Sequence, residues 1–187
     1  MERARSSTRL TYADYVQFPD DGLRHEIIDG EHYVTPSPAT RHQRIALKLA
    51  HAIQTHLDSH PLGELFIAPF DVVLSDSDIV VPDLIYLSQE HRDRLNDKNL
   101  RGAPDLAIEI LSPSTRSRDL KLKRDAYERT GVEEYWTVDP AAEHVDVHRR
   151  HGSGFLAPAR LTQGCSLTTP LLPGLQLSIE TMLSSRE

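Results

Sequence analysis

Apolar positions along the chain change period several times, and each change marks a different element. From Thr40 to about Ser59, Ile45, Leu49, Ala52, Ile53 and Leu57 recur at spacings of three and four, predicting a helix with one apolar stripe. Thr40 stands where a cap would begin it, and Pro61 and Gly63 where it would end. Ahead of it, RHEIIDGEHYVTPSP carries two short extended runs around Asp29-Gly30, the strongest hairpin signal in the chain, closed by Pro36 and Pro38. Further upstream, Thr11 with Asp14 three residues on marks a helix start in TYADYVQF.

Beyond Gly63 the pattern turns extended in ELFIAPFDVVLS, DIVVPDLIYLS and, after a polar linker over 89–102, APDLAIEILS. The last is a nearly unbroken apolar run, as in a strand covered on both faces. SRDLKLKRDAYERT, 117–130, predicts a helix with Gly131 as its C-terminal cap. VEEYWTVDP, HVDVHRR and GFLAPAR predict three short strands, and LSIETML a closing helix or strand. The elements predict a flexible tail over 1–10 and a single domain over 11–187. Its class is α/β (α+β), with a mixed central β-sheet flanked by helices and an N-terminal β-hairpin.

Composition narrows the function classes. No stretch of the 187 residues approaches the ~20 apolar positions of a membrane span. The N-terminus MERARSSTRL has no apolar core of signal-peptide type, and Cys165 is alone, so a cytoplasmic protein is expected. The net charge of -7 argues against a protein that coats nucleic acid non-specifically, though not against an enzyme gathering carboxylates around a metal.

Two acids conflict with the apolar pattern. Strand alternation sets Asp105, Ala107, Glu109 and Leu111 on one face and Leu106, Ile108 and Ile110 on the other, leaving Glu109 inside a run that excludes water. Asp83 poses the same problem in VVPDLIYLS, where Pro82 removes a ladder hydrogen bond just before it. A buried unpaired carboxylate costs several kcal/mol, roughly a large part of a domain's stability. A cationic partner, a raised pKa or a metal ion must therefore compensate. Two carboxylates on neighbouring strands suit a hard divalent cation, which polarises a phosphodiester and activates water. Only four lysines occur, and two of them, Lys121 and Lys123, lie in the helix after Glu109. Asp119, Lys123 and Tyr127 share one face of that helix, although Asp119 with Lys123 reads equally as a surface pair. Arg116, Arg118 and Arg124 add to a local basic patch that would either meet a DNA backbone or offset nearby acids. Ser112 and Ser114 lack a Gly-x-Ser-x-Gly elbow and read as turn residues.

At these residues the sequence resembles the Uma2 family, grouped with restriction endonucleases in the PD-(D/E)xK nuclease superfamily. RHEIIDGEHYVTPSP, VVPDLIYLS and APDLAIEILSPSTRSRDLKLKRDAYERTGVEEYWTVDP carry the resemblance over roughly residues 10–183. It implies a restriction-endonuclease-like core and a site using Mg2+ (or Mn2+) to hydrolyse phosphodiester bonds of DNA. Asp83 and Glu109 match the two metal-binding acids. Leu111 stands where the pattern has its lysine; Lys123 on the next helix is the matching position, with Lys121 its neighbour. Glu26 matches a further acid of the family. His42, in the first turn of the long helix, is an accessory candidate, and a homodimer fits an enzyme that cuts two strands. The alternative function is a catalytically silent nucleic-acid-binding or regulatory module that keeps the fold.

Overall fold

The structure is a computed structural model that describes residues 9–184. Its N-terminal portion follows local chemistry closely. Strands β1 (Arg24–Ile28) and β2 (Glu31–Thr35) form the expected hairpin, with Asp29 at φ 53° and Gly30 at φ 77°. Two consecutive left-handed residues match the right-handed twist of the strands, which is why Asp-Gly stands there. Helix α1 (Tyr12–Tyr15) starts where Thr11 donates its amide to Asp14 Oδ2 at 2.8 Å, but it lasts only four residues. Of the segment expected to be a tail, residues 1–8 lie outside the described ones. Leu10 donates its amide to the Gly30 carbonyl at 2.9 Å, and Arg9 pairs with Asp29.

Helix α2 spans Thr40–Ser59, and its stripe of Ile45, Leu49, Ile53 and Leu57 is buried as the spacing predicts. Its start differs from expectation. Ala39 occupies the cap position, no side chain caps the helix, and Thr40 is already its first helical residue. The chain then runs through β3 (Gly63–Ile67), β4 (Val72–Ser75), β5 (Asp78–Val80) and β6 (Leu84–Ser88). A 3₁₀ turn (Gln89–Arg94) and β7 (Leu100–Arg101) replace the expected linker, and β8 follows at Leu106–Ile110. A π-helical stretch, Arg118–Lys123, leads directly into α3 (Arg124–Thr130), which Gly131 ends at φ 96°. The C-terminal part contains β9 (Glu134–Asp139), β10 (His144–His151), β11 (Gly154–Phe155), β12 (Ala159–Thr162), β13 (Ser166–Leu167), β14 (Leu177–Ser178) and α4 (Ile179–Leu183).

Two larger sheets carry the fold, beside a small two-stranded one of β13 and β14. One is ordered β2-β1-β5-β4-β7; the other is ordered β11-β10-β9-β8-β6-β3, with β12 also pairing β10. Both are mixed: β4 and β7 run parallel, as do β8 and β9. DIVVPDLIYLS, legible as one extended run, serves both sheets. Pro82 cannot donate to a ladder, so pairing stops at Val80 and resumes at Leu84 in the second sheet. Pro158 likewise falls in the gap between β11 and β12, which splits the expected strand GFLAPAR in two.

The larger sheet is covered on both faces. Leu106, Ile108, Ile110, Trp136 and Val138 pack with the α2 stripe and with Ile179 and Met182 of α4. On the other face Ile85, Ala107 and Tyr135 pack with Ile28, Val72 and Val80 of the smaller sheet and Ala126 and Tyr127 of α3. The seam between the two sheets is where the misplaced acids meet.

Candidate functional site

Five elements deliver side chains to a cleft of about 170 Å³ at this seam, which Glu26, Asp83, Glu109, Asp119, Lys123 and Arg118 line. Glu26 comes from the middle of β1, where alternation turns it toward the second sheet. Asp83 sits in the proline break immediately before β6. Glu109 lies on the β8 face opposite Ile108 and Ile110, as the pattern predicts. Lys123 closes the π-helical stretch, and His42 faces inward from the first turns of α2.

Lys123 is the hub. Its ammonium reaches Glu26 Oε1 at 2.7 Å, Glu109 Oε1 at 2.8 Å and Asp119 Oδ1 at 3.8 Å, and the side chain is only 3% exposed. A lysine from the following helix thus reaches Glu109, while Leu111 is buried and donates its backbone amide to Val138. Lys121, two residues away, is exposed and does not enter the cleft. Tyr127 donates its hydroxyl to Glu109 Oε1 at 2.8 Å, so α3 and the π-helical stretch before it each hold Glu109 once. Glu109 Oε2 accepts no hydrogen bond among the described residues.

Asp83 is held from three sides. Its Oδ2 accepts from the Ile110 amide at 2.9 Å and lies 2.9 Å from His42 Nε2, and its Oδ1 accepts from Arg24 at 3.0 Å. Burial works against its charge, but the contacts with His42, the Ile110 amide and Arg24 outweigh it and hold the carboxyl below its usual range. Glu26 behaves alike: burial raises it, while Lys123, Arg118 and the Val81 amide (2.9 Å) bring it below the ordinary value. Glu109 does not. Burial, opposed by Lys123 and reinforced by Asp119, Asp83 and Glu26, pushes it up to about 8. Glu26 and Glu109 bond the same ammonium, yet shift in opposite directions, because Glu26 has Arg118 as a second cation. The surplus negative charge also raises Lys123, whose burial is outweighed by Glu109, Glu26 and Asp119.

This electrostatic state fits a divalent cation. Four carboxylates, Glu26, Asp83, Glu109 and Asp119, face Lys123, Arg118 and Arg24, and Asp119 Oδ1 is buried without a hydrogen-bond partner. Asp83 and Glu109 are the pair that would hold the ion. Among the described residues no three His, Cys, Asp or Glu side chains group to hold a metal.

Several participants escape sequence reasoning. Arg24 is one, although its position two residues before Glu26 puts both on one face of β1. Asp119 is another: by spacing it makes an ordinary surface pair with Lys123, but it is 2% exposed. The expected basic patch is mostly consumed internally, with Arg116 paired to Asp139, Arg118 to Glu26, and Arg124 to Asp125 and Glu128. Ser112 contacts the Thr115 hydroxyl at 2.9 Å, in keeping with a turn role. No helix among the described residues is long and apolar enough to cross a membrane.

The fold has a solved counterpart. A structure described as "a putative nuclease belonging to DUF820" from Anabaena variabilis ATCC 29413 superposes with a TM-score of 0.80 at 20% identity, covering 93% of this chain and 97% of that one. The α+β class is therefore as the sequence led us to expect, and the fold is shared with that protein. A search of curated proteins finds no match. The family model for Uma2, described as "Putative restriction endonuclease", matches residues 12–180, a span that takes in the whole cleft, and the chain belongs to that family.

Proposed function

We propose that the protein is a metal-dependent endonuclease that hydrolyses phosphodiester bonds of DNA, using Mg2+ or Mn2+. The observation that carries this reading is the convergence of Asp83, Glu109 and Lys123 in one cleft, from three separate segments of the chain. Asp83 and Glu109 would hold the ion, which when bound supplies a Lewis acid for the phosphate. The chain's own groups account for the rest. Lys123, charged and fixed by Glu26 and Glu109, would orient the attacking water or oppose charge gathering on the phosphate. Tyr127 and Lys123 both bond one oxygen of Glu109 and leave the other without a donor among the described residues. His42 and the Ile110 amide set the rotamer of Asp83. Nicking of supercoiled DNA with Mn2+ is expected to disappear in Glu109→Ala at unchanged circular dichroism; full activity in that variant removes the assignment.

One observation favours a second reading, a silent binding or regulatory module. Both oxygens of Asp83 are already engaged, one of them by an arginine. Calorimetric titration with Mn2+ separates the two. A nuclease binds the ion and loses it in Asp83→Asn, whereas a silent module releases no heat in either form.

A further inference from the structure

Lys123 holds its three acidic neighbours unequally. Its ammonium carries three N–H groups. Two of them go to Glu26 Oε1 at 2.7 Å and Glu109 Oε1 at 2.8 Å, while Asp119 Oδ1 stands off at 3.8 Å. That distance is too long for a hydrogen bond, yet one water can bridge the two atoms at about 2.8 Å from each. The Asp119 side chain is only 3% exposed and lines the cleft, and no donor among the described residues bonds its Oδ1. Nearby donors serve other atoms. Tyr127 donates to Glu109, Tyr135 gives its hydroxyl to the Asp119 backbone carbonyl at 3.0 Å, and Arg118 pairs with Thr35 and Glu26.

An ionised carboxylate only accepts hydrogen bonds, so a buried oxygen without a donor points to a ligand that supplies one. A phosphodiester has no hydrogen to give and would meet a like charge. A metal ion on Oδ1 would lie against the Lys123 ammonium. Water has the matching chemistry, and hydrolysis consumes it. The π-helical stretch, Arg118–Lys123, presents Asp119 and Lys123 to the cleft together, and such stretches recur at functional sites. Burial also raises the Asp119 carboxyl above its ordinary range, against the pull of Lys123, which suits a group that takes up a proton. We infer that Asp119 is a catalytic residue whose Oδ1 accepts a hydrogen from the attacking water, while the third N–H of Lys123 holds that water's oxygen. As the water oxygen bonds to phosphorus, its proton passes to Asp119 Oδ1 and then to solvent. The bond from phosphorus to the leaving oxygen breaks, and that oxygen keeps the electron pair and takes a proton from solvent. The inference rests on the endonuclease reading and adds to it the acceptor of the water's proton.

Asp119→Asn keeps the shape of the side chain but takes no proton. With Mn2+, nicking of supercoiled DNA is expected to slow about 10²-fold in this variant, at unchanged Mn2+ affinity by calorimetry. Its melting temperature should hold or rise, because a neutral amide replaces a buried carboxylate oxygen that lacks a donor. In Asp119→Ala, added formate should restore part of the nicking rate, and chloride at equal concentration should not. A wild-type rate in Asp119→Asn overturns the inference and leaves the endonuclease reading standing. Weaker Mn2+ binding in Asp119→Asn also overturns it, since Asp119 is then a ligand of the ion. So does a rate lost in both variants that formate does not restore, which assigns Asp119 to holding Lys123 in place. A wild-type protein that does not nick DNA overturns the endonuclease reading itself, and the inference falls with it.

Discussion

Glu109 and Glu134 occupy adjacent parallel strands, β8 and β9, and both are almost fully buried at 3% and 2% exposure. Glu109 lies inside an apolar run, whereas Glu134 opens its strand beside Glu133. Their surroundings differ. Glu134 has a donor for each oxygen, Arg149 Nε at 2.9 Å and Trp136 Nε1 at 2.8 Å, and Arg149 stands directly across the ladder on β10. It is one acid with one cation and a neutral donor, and it does not line the cleft that holds Glu109. Glu109 shares one lysine with Glu26 and Asp119, has one oxygen without a donor, and lines an open cavity. Burial of an acid therefore does not mark a site. The marks are an excess of negative charge over its partners and an unsatisfied oxygen that a ligand can reach.

That contrast can be broken most decisively by activity. Glu109→Ala is expected to lower Mn2+-dependent nicking by about 10²-fold or more, whereas Glu134→Gln retains it; equal loss in both would erase the distinction. The next effect is on stability. Lys123→Met strands Glu26 and Glu109 without their shared cation and should cost about 3–5 kcal/mol in chemical denaturation. Arg149→Met leaves Glu134 its Trp136 donor and should cost about 1–3 kcal/mol.

A smaller effect concerns sign. Glu109 in the folded protein titrates near 8 against 4.5 for an ordinary glutamate. Between those values the folded state keeps a proton that the unfolded chain has lost, so metal-free stability falls as pH rises through that window. Glu109→Gln removes this dependence and should raise the melting temperature at about pH 8 in chelator, while Glu134→Gln lowers it by leaving Arg149 or Trp136 poorly matched. A wild-type melting temperature that rises steadily from about pH 5 to about pH 8 would contradict the assignment of the proton to Glu109. The smallest effect belongs to Lys121→Ala. Its exposed side chain predicts a change within about 0.5 kcal/mol and unaltered nicking, so a large loss there would transfer the lysine role away from Lys123.

The elements were largely legible because they rest on local rules. Asp29-Gly30 makes its hairpin, the stripe from Ile45 to Leu57 makes α2, and Gly131 ends α3. Where local reading failed, a distant partner or a missing donor had intervened. Pro82 and Pro158 interrupt ladders, so one apolar run serves two sheets and another becomes two strands. Asp119 looks like a surface residue until the π-helical stretch turns it inward with Lys123. Arg24 carries no signal of its own, since pairing with Asp83 spans 59 positions of chain.

By itself the sequence determined that Asp83 and Glu109 lie in runs too apolar to hold them uncompensated, since hydrophobic patterning and desolvation are properties of short segments. Only the tertiary structure decided what compensates them. Charge balance is a sum over everything within a few ångströms, and here those neighbours come from β1, α2, the Pro82 break, β8 and the helix after it. The same folding that brings Lys123 to Glu109 leaves Glu134 fully partnered on the next strand.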